Sequence, residues 1–228
     1  MRILIFGPNG SGKGTQSAIL VKKTGLTHIE SGGIFREHAK KGTELGKKAK
    51  TYTDQGQLVP DEITIPMIVD RLSRSDCANG WILDGFPRNP SQAMALIQAL
   101  EQGQTPLDVV IEIRLAREVA KARLMGRATC PNGHPNNTAI PAIAPIKSGN
   151  QLICAKCQQP VTVRQDDIDE QAIDVRLNIY FDEQNGTVSA IRAVESWAAN
   201  RPDVNVIHVD GEGDIQAISE TIAAALGR

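Results

Sequence analysis

The sequence predicts an α/β protein: a five-stranded parallel sheet forming a P-loop core, with helices on both faces and two excursions. Three observations predict this. Five short apolar runs alternate with helix-period segments, the pattern of parallel strands covered on both sides. A glycine-rich stretch, GPNGSGKGT from Gly7 to Thr15, follows the first run and opens the first helix, the context of a phosphate-binding loop. Two stretches break the alternation: about 32–59, helical but rich in Gly and Lys, and about 128–164, rich in Pro, Asn and Gly with no helical period.

The elements follow in order. RILIFG is a buried strand ending in glycine, and KGTQSAILVKKTG is a helix with Gly25 as its stop. LTHIES is a short second strand. WILDGF, DVVIEIRL and VNVIHVDG complete the sheet. The helices between them are DEITIPMIVDRLSRS, NPSQAMALIQALEQG and REVAKARLMGR. After the second excursion come DEQAIDVRLNIYFDEQ, a broken continuation to Asn200, and the closing DIQAISETIAAALG.

Composition narrows the function classes. The 228 residues suffice for one domain with insertions or two modest ones. Apolar content of 41% and charged content of 22% are ordinary for a soluble globular protein. A net charge of −1 argues against bulk nucleic-acid binding. No apolar run approaches about 18 residues, so no membrane span is expected. MRILIF is too short for a signal peptide, and a cytoplasmic location is expected. In a reducing compartment the four cysteines read as metal ligands or free thiols rather than disulfides.

The glycine loop carries the first chemistry. Its glycines let several backbone N–H groups converge on phosphate oxygens, and the following helix adds the positive end of its dipole. Lys13 is placed to reach the β- and γ-phosphates. The general motif has Ser or Thr directly after the lysine, whereas here Gly14 intervenes before Thr15.

The cysteines carry the second. Cys130 and His134 open the later excursion, and Cys154 and Cys157 form a C-x-x-C pair. A Cys₃His set suits a closed tetrahedral structural site, with Zn²⁺ leading and Fe²⁺ or Co²⁺ able to take the same geometry. The excursion has few large apolar residues, chiefly Ile140, Ile143, Ile146, Leu152 and Ile153. Metal binding would supply folding free energy that so small a core cannot. Cys77 stands apart and reads as a free thiol, buried or at the surface.

The GKGT ending, together with ESGGIFR, GQLVPDE, LDGFPRNPSQA, the pair Gly126–Arg127 and RQDD in that order, resembles adenylate kinases of the long-lid bacterial type, across essentially the whole chain. The cysteine-containing stretch resembles the lid of their metal-binding subset. The resemblance implies a core of residues 1–29, 60–126 and 168–228, a nucleoside-monophosphate-binding insertion at 30–59, and a lid at 127–167. It implies reversible conversion of ATP and AMP to two ADP with Mg²⁺, by a monomer with no nucleic-acid or membrane partner.

The same resemblance implies roles for residues. Gly10, Ser11, Gly12, Lys13, Gly14 and Thr15 would hold ATP phosphates. Arg123 would pack near the ATP base, Arg127 would meet its phosphates, and Gly213 would offer backbone to the base. Arg123 and Arg127, four apart in a helical pattern, are expected on one helix face. Ser31 and Gln57, Leu58 and Val59 would contact AMP around its adenine, and Arg36 would bind its phosphate. Gly85, Phe86, Pro87 and Arg88 would also bind AMP, with Arg88 bridging towards the transferred group, while Gln92 would bond the adenine edge. Arg164 and Arg176 would close over the phosphates of both nucleotides. Lys13, Arg88, Arg127, Arg164 and Arg176 form the catalytic set, since phosphoryl transfer asks chiefly for positioning and neutralised charge. Asp84, ending a strand, would hold Mg²⁺ through water. Position 33, an aspartate near the magnesium waters in many members, is Gly33 here, which shifts that work towards Asp84. Asp166 and Asp167 read as a solvated charge pair, a hinge, or a water-mediated aid to Mg²⁺.

Two alternatives remain open in the sequence. UMP, CMP or GMP could replace AMP as acceptor. A zinc-ribbon nucleic-acid module would need basic and aromatic residues around the cysteines, yet only Lys147, Lys156 and Arg164 are near and no aromatic lies between Cys130 and Arg164.

Overall fold

The computed structural model describes residues 1–164 and 167–227. Asp166 therefore lies outside the described residues. The chain begins β1 (Arg2–Phe6), α1 (Lys13–Thr24), β2 (Thr27–Glu30), α2 (Ser31–Lys40), α3 (Glu44–Thr53) and α4 (Asp61–Leu72). It continues with β3 (Trp81–Asp84), α5 (Pro90–Gln102), β4 (Val109–Arg114) and α6 (Arg117–Met125). Five short strands follow: β5 (Arg127–Thr129), β6 (Pro135–Asn137), β7 (Ile146–Ser148), β8 (Gln151–Ile153) and β9 (Thr162–Val163). The chain closes with α7 (Glu170–Phe181), α8 (Thr187–Ala198), β10 (Asn205–Asp210) and α9 (Ile215–Ala225).

The five apolar runs form one parallel sheet in the order β10-β4-β1-β3-β2. Alternation along β1 explains its two faces. Leu4 and Phe6 join a core with Ile68 of α4, Leu96 of α5 and Val194 of α8. Ile3 and Ile5 point the other way, towards Leu20 of α1 and Ile218 and Ile222 of α9. All four of these strand residues are at most 3% exposed, so neither face of the sheet is left to solvent. Gly25 ends α1 in the left-handed conformation, φ 72°, its N–H bonded to the Val21 carbonyl.

The first excursion is helical as expected, with a small core of its own from Phe35, Ala49 and Val59. The second is built differently. β5, β6 and β9 form a three-stranded antiparallel sheet, and β7 pairs with β8 in an exposed hairpin. Its buried residues are Ala128, Cys130, Asn136, Asn137 and Cys154, not its large apolar ones. Ile146 is 51% exposed.

One expectation fails here. Arg123 and Arg127 do not share a helix face, because α6 ends at Met125 and Arg127 is the first residue of β5. Gly126 caps the helix, and Arg127 pairs with Asn137 across the strands. Asn137 also reaches back, donating from Nδ2 to the Arg123 carbonyl at 2.7 Å. The junction is so close that a Cβ at Gly126 would lie 2.6 Å from Asn137 Oδ1.

Candidate active site

The sheet order reverses direction around β1, with β3 on one side and β4 on the other. In open α/β sheets a crevice opens at the carboxyl ends of the strands at such a point. The glycine loop leaves β1 there. A cavity of about 210 Å³, lined by Leu100, Pro106, Leu107, Trp197 and Val204, lies instead among segments entering the amino ends of β4 and β10.

Lys13 starts α1 and folds back over its own loop, donating to the carbonyls of Gly7 at 2.7 Å and Pro8 at 3.1 Å. Burial pushes its ammonium down to about 8, with Asp84 opposing the shift. Ser11 Oγ is buried without a hydrogen-bond partner, which suits a loop whose donors are aimed at a ligand. Gly14 is exposed and Thr15 half-buried beside it.

Across the crevice, β3 ends in Asp84, only 5% exposed. His28 Nε2 stands 3.6 Å from Asp84 Oδ2. The chain then turns through Gly85, φ 78°, where a Cβ would lie 2.9 Å from Ser31 Oγ. Ser31 Oγ donates to the Gly85 carbonyl at 2.7 Å, and Arg88 Nε donates to the same oxygen at 2.8 Å. A cis Phe86–Pro87 bond carries the backbone between them. Burial lowers the pKa of Arg88, opposed by Asp84 and then Glu30.

Gln92 is tied on both sides. Its Oε1 accepts from the Arg88 N–H at 2.8 Å and its Nε2 donates to Asp61 Oδ1 at 2.7 Å. Asn89 caps α5 and also donates to Asp61. Val59 is buried in the helical excursion, while Gln57 is exposed and Leu58 half-buried. Arg36 Nη2 donates to both carboxylate oxygens of Glu30 at 2.7 Å.

A third group gathers on Asp167. Arg127 Nε donates to its Oδ2 at 2.6 Å and Arg176 Nη2 to its Oδ1 at 3.0 Å. The Asp167 side chain is 0% exposed, so it is not the solvated charge its neighbourhood suggests. Arg164 is half-buried and its charge acts on Arg127. Arg123 donates from Nη1 to the Gly211 carbonyl at 2.7 Å, two residues before the exposed Gly213.

The four metal-type residues also converge. Cys130, His134, Cys154 and Cys157 bring their ligand atoms within 4.8 Å of one another. Cys130 Sγ is 3.4 Å from Cys157 Sγ and 3.8 Å from His134 Nδ1, and Cys154 Sγ is 3.7 Å from that nitrogen. These separations match the edges of a tetrahedron around one ion with bonds of about 2.0–2.3 Å. Burial pushes the Cys154 thiol up, but hydrogen bonds from Asn136 Nδ2 and the Cys157 and Lys156 N–H groups bring it down to about 6. Asn136 sits 3.4 Å from that sulfur.

Of the predicted residues, Lys13, Gly85, Pro87, Arg88 and Arg176 line one cavity at the glycine loop, while Cys130, His134, Cys154 and Cys157 form a separate knot. Sequence reasoning missed His28, Glu30, Asp61 and Asn136. A capping signal, Asn89 before Pro90, was the only local hint to Asp61. Cys77 proves buried, contacted by Arg71 Nη1 at 3.1 Å.

Comparison with known proteins identifies the family. The family model for adenylate kinase matches residues 5–194. A protein named adenylate kinase from Desulfatibacillum aliphaticivorans is 51% identical over 229 residues, covering 100% of both chains. Another, from Nitratidesulfovibrio vulgaris strain Hildenborough, is 52% identical over 99% of this chain and 100% of its own. A third, from Desulfotalea psychrophila, is 51% identical over 98% of each. Matches of this identity, running from end to end, leave a single assignment: the chain belongs to the adenylate kinase family of nucleoside monophosphate kinases.

Proposed function

We propose that the chain converts ATP and AMP reversibly to two ADP, with the two nucleotides held on opposite sides of Lys13 and Arg88. The observation that carries this reading is the mutual approach of Lys13, Arg88, Arg127 and Arg176, whose charges act on one another, with Asp84 among them. Such a cluster of cations neutralises a transferring phosphoryl group in a site with little water.

On the ATP side, Gly10 to Thr15 cradle the phosphates and Lys13 leaves its loop carbonyls for them. Arg123 and Gly213 flank the base, and Arg127 meets the phosphates. On the AMP side, Ser31, Gln57, Leu58 and Val59 face the adenine with Gln92, and Arg36 takes the phosphate. Gly85, Phe86 and Pro87 contact AMP and form the turn that presents Arg88. Arg164 and Arg176 close over both nucleotides.

Asp84 fits Mg²⁺ held through water: it is a buried carboxylate at a strand end, beside Lys13. The ion supplies charge neutralisation on the ATP phosphates when bound. Cys130, His134, Cys154 and Cys157 fit a structural Zn²⁺, since three sulfurs and a ring nitrogen complete a tetrahedron with no open position.

Residues 30–59 and 127–167 act as two flaps on the remaining core, and closing them expels water from the crevice. No helix among the described residues is long and apolar enough to cross a membrane. The free cysteines suit a reducing compartment, and the reading is completed by a cytoplasmic monomer.

Steady-state kinetics of Lys13→Ala and Arg88→Ala test the assignment. Each is expected to lower kcat by about a hundredfold or more with little change in melting temperature. Wild-type kcat in both would defeat it. Comparing kcat/KM for AMP, UMP, CMP and GMP tests the acceptor, with AMP expected first.

A further inference from the structure

Glu30 is a residue the reading above leaves unused, and three observations place it beside Asp84. It ends β2 as Asp84 ends β3, and the two are register partners in the parallel ladder. Adjacent strands lie about 4.8 Å apart, and register partners project from the same face. His28, two residues earlier on that face, already approaches Asp84 at 3.6 Å.

The second observation is where the carboxylate goes. It lies over the start of α2, and a Cβ built at Gly33 would be 3.1 Å from Glu30 Oε2 and 3.4 Å from Glu30 Cβ. Gly33 leaves the space that the Glu30 side chain fills. A carboxylate from position 33 and the present one from position 30 would compete for the same room.

The third is electrostatic. Asp84 and Glu30 both act electrostatically on Lys13, and both act on Arg88. Both residues belong to the phosphate-handling cluster, so Glu30 projects its charge where phosphates and their counter-ion would sit.

We propose that Glu30 is a second carboxylate of the magnesium site, a positioning residue that works with Asp84 on the water molecules of the ion. This rests on the reading that Mg²⁺ sits beside Asp84. A hydrated dication presents water hydrogens outwards, and paired carboxylates both accept from them and add opposite charge. Arg36 holds Glu30 at 2.7 Å through both oxygens. When a monophosphate takes Arg36, that grip weakens and the carboxylate is left to the waters of the ion.

The test is Mn²⁺ binding to the enzyme–ADP complex, read by electron paramagnetic resonance as loss of the free-ion signal. Glu30→Gln is expected to weaken Mn²⁺ binding on the order of tenfold, while metal-free AMP affinity measured by calorimetry is kept or improved. A Glu30→Ala, Gly33→Asp double variant empties the room of the Glu30 side chain and sets a carboxylate from position 33 there, and most of the Mn²⁺ affinity lost in Glu30→Ala is expected to return. Unchanged Mn²⁺ affinity in Glu30→Gln, a loss with no recovery in the double variant, or a loss of AMP affinity equal to that of Mn²⁺ overturns the proposal. Asp84→Asn and Arg36→Ala, measured alongside, test the underlying assignment separately: full Mn²⁺ binding in the first or full AMP binding in the second faults the assignment rather than Glu30.

Discussion

Arg127 Nε donates to Asp167 Oδ2 at 2.6 Å, and that carboxylate is wholly shielded from solvent. Arg176 donates to its other oxygen. The pair therefore joins β5, at the start of the second excursion, to α7. A buried carboxylate between two guanidinium groups does two things: it satisfies both, and it fixes where their remaining donors point.

Neutralising that carboxylate removes a buried negative charge from between two guanidinium groups. Asp167→Asn is expected to lose about 2–4 kcal/mol of stability, which for a chain of this size lowers the melting temperature by roughly 5–15 °C. Urea unfolding and calorimetry check it. A loss below about 0.5 kcal/mol would mean that solvent reaches the pair.

Lys13 makes nucleotide binding sensitive to pH. Its free-state ammonium sits at about 8, below the ordinary lysine value of 10.5. Phosphates favour the charged form, so binding above pH 8 takes up a proton and ATP affinity falls as pH rises through that value. Calorimetry at pH 9 in buffers of different ionisation enthalpy should show this uptake, and Lys13→Met should abolish it. The stability effect has the same origin. The unfolded chain holds this proton up to about 10.5, so the Lys13 contribution to folding becomes more favourable between about pH 8 and 10.5.

Gly85 is expected to tolerate no side chain. With φ at 78° and a Cβ due 2.9 Å from Ser31 Oγ and 3.2 Å from Arg88 Nη2, Gly85→Ala strains the backbone and displaces both residues. A stability loss of about 1–3 kcal/mol should accompany a rise in the KM for AMP. An unchanged KM would show that Ser31 and Arg88 do not depend on this turn.

The cysteine knot separates stability from turnover. Chelation, or Cys157→Ser, is expected to lower the melting temperature on the order of 10 °C while activity at low temperature largely persists. Abolished turnover with unchanged melting would reverse the assignment from structural to catalytic.

The core was legible because each strand is a short apolar run followed by a turn, and this pattern survives without knowledge of neighbours. The strands of the lid were not, since stretches such as Pro135–Asn137 and Thr162–Val163 are too short to show a period. The end of α6 was misplaced because REVAKARLMGR keeps its helical spacing through Arg127, while the stop comes from Asn137 packing on Gly126. Lys13 and the cysteines announced themselves by local spacing. Asp167 did not, because its partners lie 40 and 9 residues away and a DD pair reads as hydrated. Glu30 was invisible for a similar reason: its meaning depends on β2 lying beside β3, which is a fact of topology.

The second excursion buries sulfur and amide groups where the parallel sheet buries aliphatic side chains. With an ion held by those four ligands, the two regions would answer to different variables in hydrogen exchange. Amides of β1 and β4 would be released only by global unfolding, and their protection would be indifferent to a chelator. Amides of β5 and β6 would open locally, with a free energy that falls as free metal is withdrawn. The ambient metal concentration would then set how often the flap loses its shape, independently of how firmly the sheet beneath it is folded.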